Sequence, residues 1–272
     1  MSFYDRLQNA VSCHNSLLCI GLDPVKDKVP QHIQADTHPF FAFGKAIIDA
    51  NHDVVCAFKP NSAFYEAYGA QGIQELKMTC DYIRAHYPEV LIILDAKRGD
   101  IGSTNEGYVK YAYEYLQVDA ITLHPYLGRE ANEPYLSQKE KGCIFLCRTS
   151  NPGSAEFQNK NVEGKPLYQH IASTINAEWN ENRNCLLVVG ATYPEELSQI
   201  RGLISDMPIL VPGVGAQGGD LEETLKAGLT SKKDGLIITV SRSIIYASQG
   251  KDFAQKAREE AQKMHNAINT FR

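Results

Sequence analysis

Eight short apolar runs, each four to six residues long, recur along the chain with stretches of helical periodicity between them. They fall at 17–22, 54–58, 90–94, 120–123, 143–147, 185–189, 208–211 and 235–240. Continuous apolar runs of this length read as strands buried on both faces, and their alternation with helices implies parallel βαβ units. Helical spacing is clearest at 40–50, at 71–86 just before Pro88, at 194–203 behind a Pro-Glu-Glu opening, at 219–228 and at 251–269; a further helix at 2–11 precedes the first strand. Eight such units predict a closed (β/α)8 barrel, with a doubly wound open sheet as the alternative. The 272 residues suit one barrel, although length alone also admits two small domains. No linker, low-complexity stretch or charge block divides the chain, so 1–272 is expected to form a single catalytic domain.

Composition narrows the class of function. A formal net charge of -5 argues against a broad basic surface for nucleic acid, but not against a small anionic ligand held by a few local cations. The seven cysteines are odd in number, lack a CxxC pair and lie partly inside apolar runs, which favours reduced, buried thiols over a disulfide framework or a metal site. Residues 1–9 lack the apolar core of a signal peptide, and no run approaches the roughly 18 apolar residues of a membrane helix. A soluble, cytoplasmic protein with no membrane partner is expected.

In a barrel, active-site residues belong at the carboxyl ends of the strands. The first run ends in Gly21-Leu22-Asp23-Pro24, the second in Lys59-Pro60-Asn61, and the third in Asp95-Ala96-Lys97-Arg98-Gly99-Asp100. Alternation along a strand puts Asp95 and Lys97 on one side. Asp100 follows Gly99, which can turn its carboxylate back toward the same space or toward a neighbouring subunit. Asp23 and Lys59 approach from adjacent strands. Three carboxylates and two ammonium groups are costly to desolvate unless their charges alternate. A salt-bridge network at the barrel rim would also account for them; clustering at the catalytic end of consecutive strands favours function.

The last two strand ends add Pro212-Gly213-Val214-Gly215-Ala216-Gln217-Gly218-Gly219 and Ser241-Arg242-Ser243. Barrels commonly hold phosphate there on backbone N–H groups with a nearby cation, roles open to the glycines of this run, Gly215 among them, and to Arg242. A tight turn is the simpler reading of the glycines. Residues 151–165, long and polar, suit either a lid or an ordinary surface loop.

The run Asp95-Ala96-Lys97-Arg98-Gly99-Asp100-Ile101-Gly102-Ser103-Thr104 resembles the D-x-K-x-x-D-I-x-x-T motif of the orotidine 5'-monophosphate decarboxylases, in the form of a bacterial subgroup. Weaker matches cover nearly the whole chain: Gly21-Leu22-Asp23-Pro24, Lys59-Pro60, Thr122-Leu123-His124-Pro125-Tyr126, Thr149-Ser150-Asn151-Pro152-Gly153 and Val189-Gly190-Ala191-Thr192. The resemblance implies that Lys97 donates a proton to C6 of the pyrimidine, with Asp95, Asp100 and Lys59 completing an alternating charged array. It further implies that Asp23 contacts the ribose, Ser150 reads the pyrimidine, and Gln217 and Arg242 hold the phosphate. Asp100, Ile101 and Thr104 would reach a neighbouring subunit's site, making a homodimer that takes orotidine 5'-monophosphate and releases UMP and CO2 without a cofactor or metal.

The chemistry so implied leaves negative charge in an in-plane orbital at C6 that the ring cannot delocalise as an enolate. The protein must therefore present a cation there, and preorganised electrostatics of this sort is usually the largest catalytic term. Two other readings compete. A Mg2+-dependent sugar-phosphate enzyme on the same scaffold shares the D-x-K-x-x-D array, but Lys59 puts a cation where a metal would need ligands. A barrel that only binds nucleotides is disfavoured by the unbroken motif. The eight histidines form no HExxH pattern, and His124 is expected to be structural. Tyr108, Tyr111, Tyr113 and Tyr115 are expected on a helix face and at a dimer contact.

Overall fold

The computed structural model describes residues 1–215 and 219–272. The apolar runs pair side by side as eight parallel strands that close on themselves. In chain order these are β1 (Leu18–Leu22), β2 (Ala57–Pro60), β3 (Leu91–Arg98), β4 (Ala120–Leu123), β5 (Gly142–Arg148), β6 (Cys185–Val189), β7 (Ile209–Pro212) and β8 (Leu236–Val240). Each strand bonds to the next, and β8 returns to β1 with Leu18 beside Ile238. Closure removes every free edge from the barrel. The open-sheet alternative is thereby excluded.

Helices fill the crossovers. Those expected at 40–50, 71–86, 194–203, 219–228 and 251–269 are found as Pro39–Asn51, Gly69–His86, Pro194–Ile204, Leu221–Gly228 and Phe253–Asn269. Three others lie outside the stretches picked out in the sequence. Gly102–Val109 carries little amphipathic signal and runs on as a π-helix over Lys110–Tyr115, while Gly128–Leu136 holds Pro134 inside it. Leu167–Thr174 likewise passes into a π-turn, Ile175–Trp179. A wider helical turn shifts side chains off the 3.6-residue period.

The second strand is displaced as a whole from the sequence reading, and the third runs on past 94 to Arg98. Residues His52–Val54 make a 3-10 turn and the strand begins at Ala57, opposite Cys19. Cys56 N donates to Leu18 O at 2.8 Å, which sets this register and brings Lys59 inside the strand.

The extra helix, α1 (Phe3–Cys13), closes the amino-terminal mouth of the barrel. Ser2 and Asp5 form a reciprocal capping box at its start. Phe3 is fully buried, and a Cβ on Gly142 would come within 2.6 Å of its ring. Tyr4 Oη donates to Cys185 O at 2.6 Å, and Arg6 pairs with Asp119 at 2.5 Å. Burying a phenylalanine stabilises by about 1.5–3 kcal/mol. With this end plugged, the cavity that concerns function lies at the opposite one. Among the described residues, no helix is long and apolar enough to cross a membrane.

Candidate active site

At the carboxyl ends of the strands a cavity of about 560 Å³ opens, lined by residues from every barrel strand or the loop after it. Asp95 is its charged centre. One carboxylate oxygen accepts from Lys59 Nζ at 2.8 Å and the other from Lys97 Nζ at 2.6 Å. Lys59 is 5 % exposed and Asp95 9 %, whereas the Lys97 side chain is 46 % exposed. Burial alone would push the Asp95 carboxyl up, but Lys59 and then Lys97 hold it well below the usual carboxylate range. Burial alone would likewise lower Lys59; Asp95 and then Asp23 hold it above the ordinary ammonium value. The centre is therefore one carboxylate between two cations, one of them deep and one facing the cavity.

The route by which Lys97 reaches Asp95 is not simple alternation. Lys97 has φ +47°, in the left-handed region, and the β3–β4 register breaks between Leu94 and Arg98. This conformation costs a non-glycine residue on the order of 1 kcal/mol. It puts the ammonium beside the carboxylate two residues back.

Asp23, just past β1, lines the same cavity. Its Oδ2 accepts from Ser241 Oγ at 2.7 Å, and its buried Oδ1 accepts from no described residue. Gly21 makes this possible, because a Cβ there would stand 2.7 Å from that of Ser241. Ser150 also lines the cavity, packed so closely on Gly190 that a Cβ at 190 would meet it at 2.7 Å.

At the far wall are Pro212, Gly213, Val214, Ser241 and Arg242. Gly213 and Gly215 both have positive φ (95° and 72°), and Gly215 N donates to Gly219 O at 2.9 Å. Gly215 is not among the lining residues, and Gln217 lies outside the described ones.

Asp100, Ile101 and Thr104 stand apart. None lines the cavity; Asp100 Oδ1 accepts from Ile101 N at 2.8 Å, and Ile101 is 60 % exposed on the rim. Of the two directions the sequence allowed for Asp100, the one into its own barrel is not taken.

The 151–165 segment is structured: a 3-10 turn at Pro152–Ser154, a helical turn at Ala155–Gln158, then a two-stranded hairpin of Asn161–Val162 and Lys165–Pro166. Arg148, 1 % exposed, anchors its base. Its guanidinium pairs with Glu196 at 2.5 Å, donates to Ser154 Oγ and lies 4.2 Å from the centre of the Tyr193 ring. Gln158 of this segment and Thr149, just before it, line the cavity.

Sequence reasoning passed over Thr122, Asn61 and Ser241 as cavity residues and expected only a structural His124. His124 lines the cavity, and burial followed by the Lys97 charge lowers it below the ordinary imidazole value. The runs that contain these positions assign them no role of their own; the folded barrel brings them to one mouth.

A parallel (β/α)8 barrel with a cation–carboxylate–cation centre in a cavity at its catalytic end defines an enzyme acting on a small molecule. Residues 16–257 match the family described as orotidine 5'-phosphate decarboxylase / HUMPS. An orotidine 5'-phosphate decarboxylase of Cellvibrio japonicus is 52% identical over the full length of both chains. The structure of Leishmania donovani OMP decarboxylase aligns with 98% of each chain at a TM-score of 0.84 and 35% identity. That of Leishmania donovani UMP synthase covers all of this chain and 56% of its own, with a TM-score of 0.88 and 36% identity. The chain belongs to the orotidine 5'-phosphate decarboxylase / HUMPS family.

Proposed function

We propose that this chain decarboxylates orotidine 5'-monophosphate to UMP and CO2, the last step of pyrimidine nucleotide synthesis, using its own side chains in place of a cofactor. The observation that carries this reading is Asp95 held between Lys59 and Lys97 at the cavity floor. Lys97 is the more exposed ammonium and stabilises charge developing at C6 as CO2 departs, then donates its proton to that carbon. Lys59 keeps Asp95 ionised, and Asp95 in turn aims Lys97. A Mg2+-dependent sugar-phosphate reaction is disfavoured because both oxygens of Asp95 are already occupied by ammonium groups.

The remaining roles follow the cavity's layout. Asp23 offers its unpartnered oxygen to a ribose hydroxyl, and Ser150 faces the pyrimidine. Pro212 and Arg242, on the far wall of the cavity, are the phosphate end in this reading, with Gly215 of the same loop and Gln217, which lies outside the described residues, expected to join them. Binding energy gathered there organises the charged array without touching it. We read 1–272 as one catalytic domain of a cytoplasmic enzyme; a single contiguous apolar cluster and seven free cysteines support this.

Purified protein in EDTA is expected to consume orotidine 5'-monophosphate, followed by absorbance, with UMP as the product. Well-folded protein that leaves the substrate untouched, and turns over a sugar phosphate once Mg2+ is added, overturns the reading.

Asp100, Ile101 and Thr104 are proposed to complete the site of a second copy in a homodimer, which explains an exposed isoleucine beside a carboxylate that avoids its own cavity. Lys97→Ala and Asp100→Ala subunits, each inactive alone, are expected to regain activity when mixed. Random pairing makes about half the dimers mixed, each with one intact site, so about a quarter of the parent activity returns. If Asp100 serves its own barrel, mixing restores nothing.

A further inference from the structure

Between the paired positions Leu94/Ile121 and Arg98/Leu123, β3 has three residues, Asp95, Ala96 and Lys97, where β4 has only Thr122. A bulge of this kind takes backbone N–H groups away from their ladder partners, and buried donors must find others. Thr122 Oγ1 supplies them: it accepts from Ala96 N at 3.0 Å and from Lys97 N at 2.9 Å. The same hydroxyl donates to Asp95 Oδ1 at 3.0 Å. Thr122 is 1 % exposed, so its own hydroxyl is shielded from water.

A hydroxyl has one proton and two lone pairs. Here both lone pairs face N–H donors, which leaves the proton only one destination, the Asp95 carboxylate. That oxygen also accepts from Lys97 Nζ. One side chain on β4 thus ties together the backbone of Lys97, in its left-handed conformation, and the carboxylate its ammonium grips.

We infer that Thr122 is a positioning residue for the reaction: its hydroxyl holds the β3 bulge that aims Lys97 and fixes Asp95 as an acceptor between the two ammonium groups. This rests on the reading of Lys97 and Asp95 as the reacting array. Valine matches threonine in shape but can neither accept nor donate. Serine keeps the hydroxyl and loses a methyl. Cysteine keeps a weaker, longer-bonding donor and acceptor.

Thr122→Val, Thr122→Ser, Thr122→Cys and Lys97→Ala are to be compared for kcat and KM per folded subunit, with UMP affinity and thermal unfolding measured alongside. Misplacement of a reacting group by about 1 Å costs about 100-fold, so Thr122→Val is expected to lose about that factor in kcat. Its KM and UMP affinity should stay near the parent's, because the phosphate end is untouched. Thr122→Ser should recover to within about tenfold of the parent, since a neutral hydrogen bond is of modest strength, and Thr122→Cys should fall between. If Thr122→Val does not fold, the serine and cysteine variants carry the comparison. A merely structural threonine would lower the unfolding temperature in the variants while kcat per folded subunit stayed at the parent value, and that result overturns the inference. Retained turnover in Lys97→Ala instead overturns the underlying reading of the array.

Discussion

Lys97→Ala is expected to lower turnover of orotidine 5'-monophosphate by at least about 10⁴-fold, the scale seen when one member of a catalytic unit is removed. The same substitution should leave the fold in place. Lys97 has a side chain 46 % exposed, and without it Asp95 retains both the Lys59 ion pair and the Thr122 hydrogen bond. Alanine meets the same backbone strain at φ +47° as lysine does, so no new cost arises there. Circular dichroism and UMP binding would check the fold while product formation measures the loss. Turnover within about tenfold of the parent would remove Lys97 from the role of proton donor.

Asp95→Asn is expected to damage both stability and activity, and that pairing distinguishes it from Lys97→Ala. Lys59 is almost wholly buried, and removing its carboxylate partner leaves an uncompensated cation. Breaking a buried pair in this way costs about 3–5 kcal/mol. In a chain of this size such a loss lowers the unfolding temperature by about 10 °C. Turnover should fall as well, because Lys97 loses the group that orients it. An unchanged unfolding temperature would mean that Lys59 finds other support, and the array would then be looser than its distances imply.

The same pair sets a pH dependence. Asp95 is depressed in the folded protein, so its contribution is complete above the unfolded value of about 3.9 and is lost as pH falls through the folded one. Lys59 is raised, so its contribution is complete below about 10.4 and is lost as pH rises through its folded value. Between those limits the contribution of this ion pair does not change with pH. In Asp95→Asn the acid limb belonging to this residue should vanish. Burial would then be opposed chiefly by the more distant Asp23, moving the alkaline limb of Lys59 to lower pH.

The inferred part played by Thr122 shows where the sequence stops being informative. Asp95 and Lys97 lie two apart, and period-2 alternation predicts a shared side. They do meet, yet by a bulge and a left-handed residue rather than by alternation. A threonine inside a β-branched run gives no sign that its hydroxyl serves the backbone of a strand 25 residues earlier. Arg148 is similar: nothing in its apolar run signals that it is buried against Glu196 and Tyr193 at the base of the 151–165 segment.

The sequence by itself determined the eight strands, because burial on both faces calls for continuous apolar runs, and it determined most but not all of the helices between them. It also determined which charged residues stand at the strand ends, since those follow directly from where each run stops. The tertiary structure alone decided the rest. Barrel closure brought Asp23 to Ser241 across 218 residues, the pairing of neighbouring strands brought Lys59 to Asp95 across 36, and the turn after β3 left Ile101 exposed. The physical reason is the same in each case: side-chain hydrogen bonds and ion pairs act over about 3 Å in space, and distances of that kind are set by strand register and bulges, to which local sequence pattern is blind.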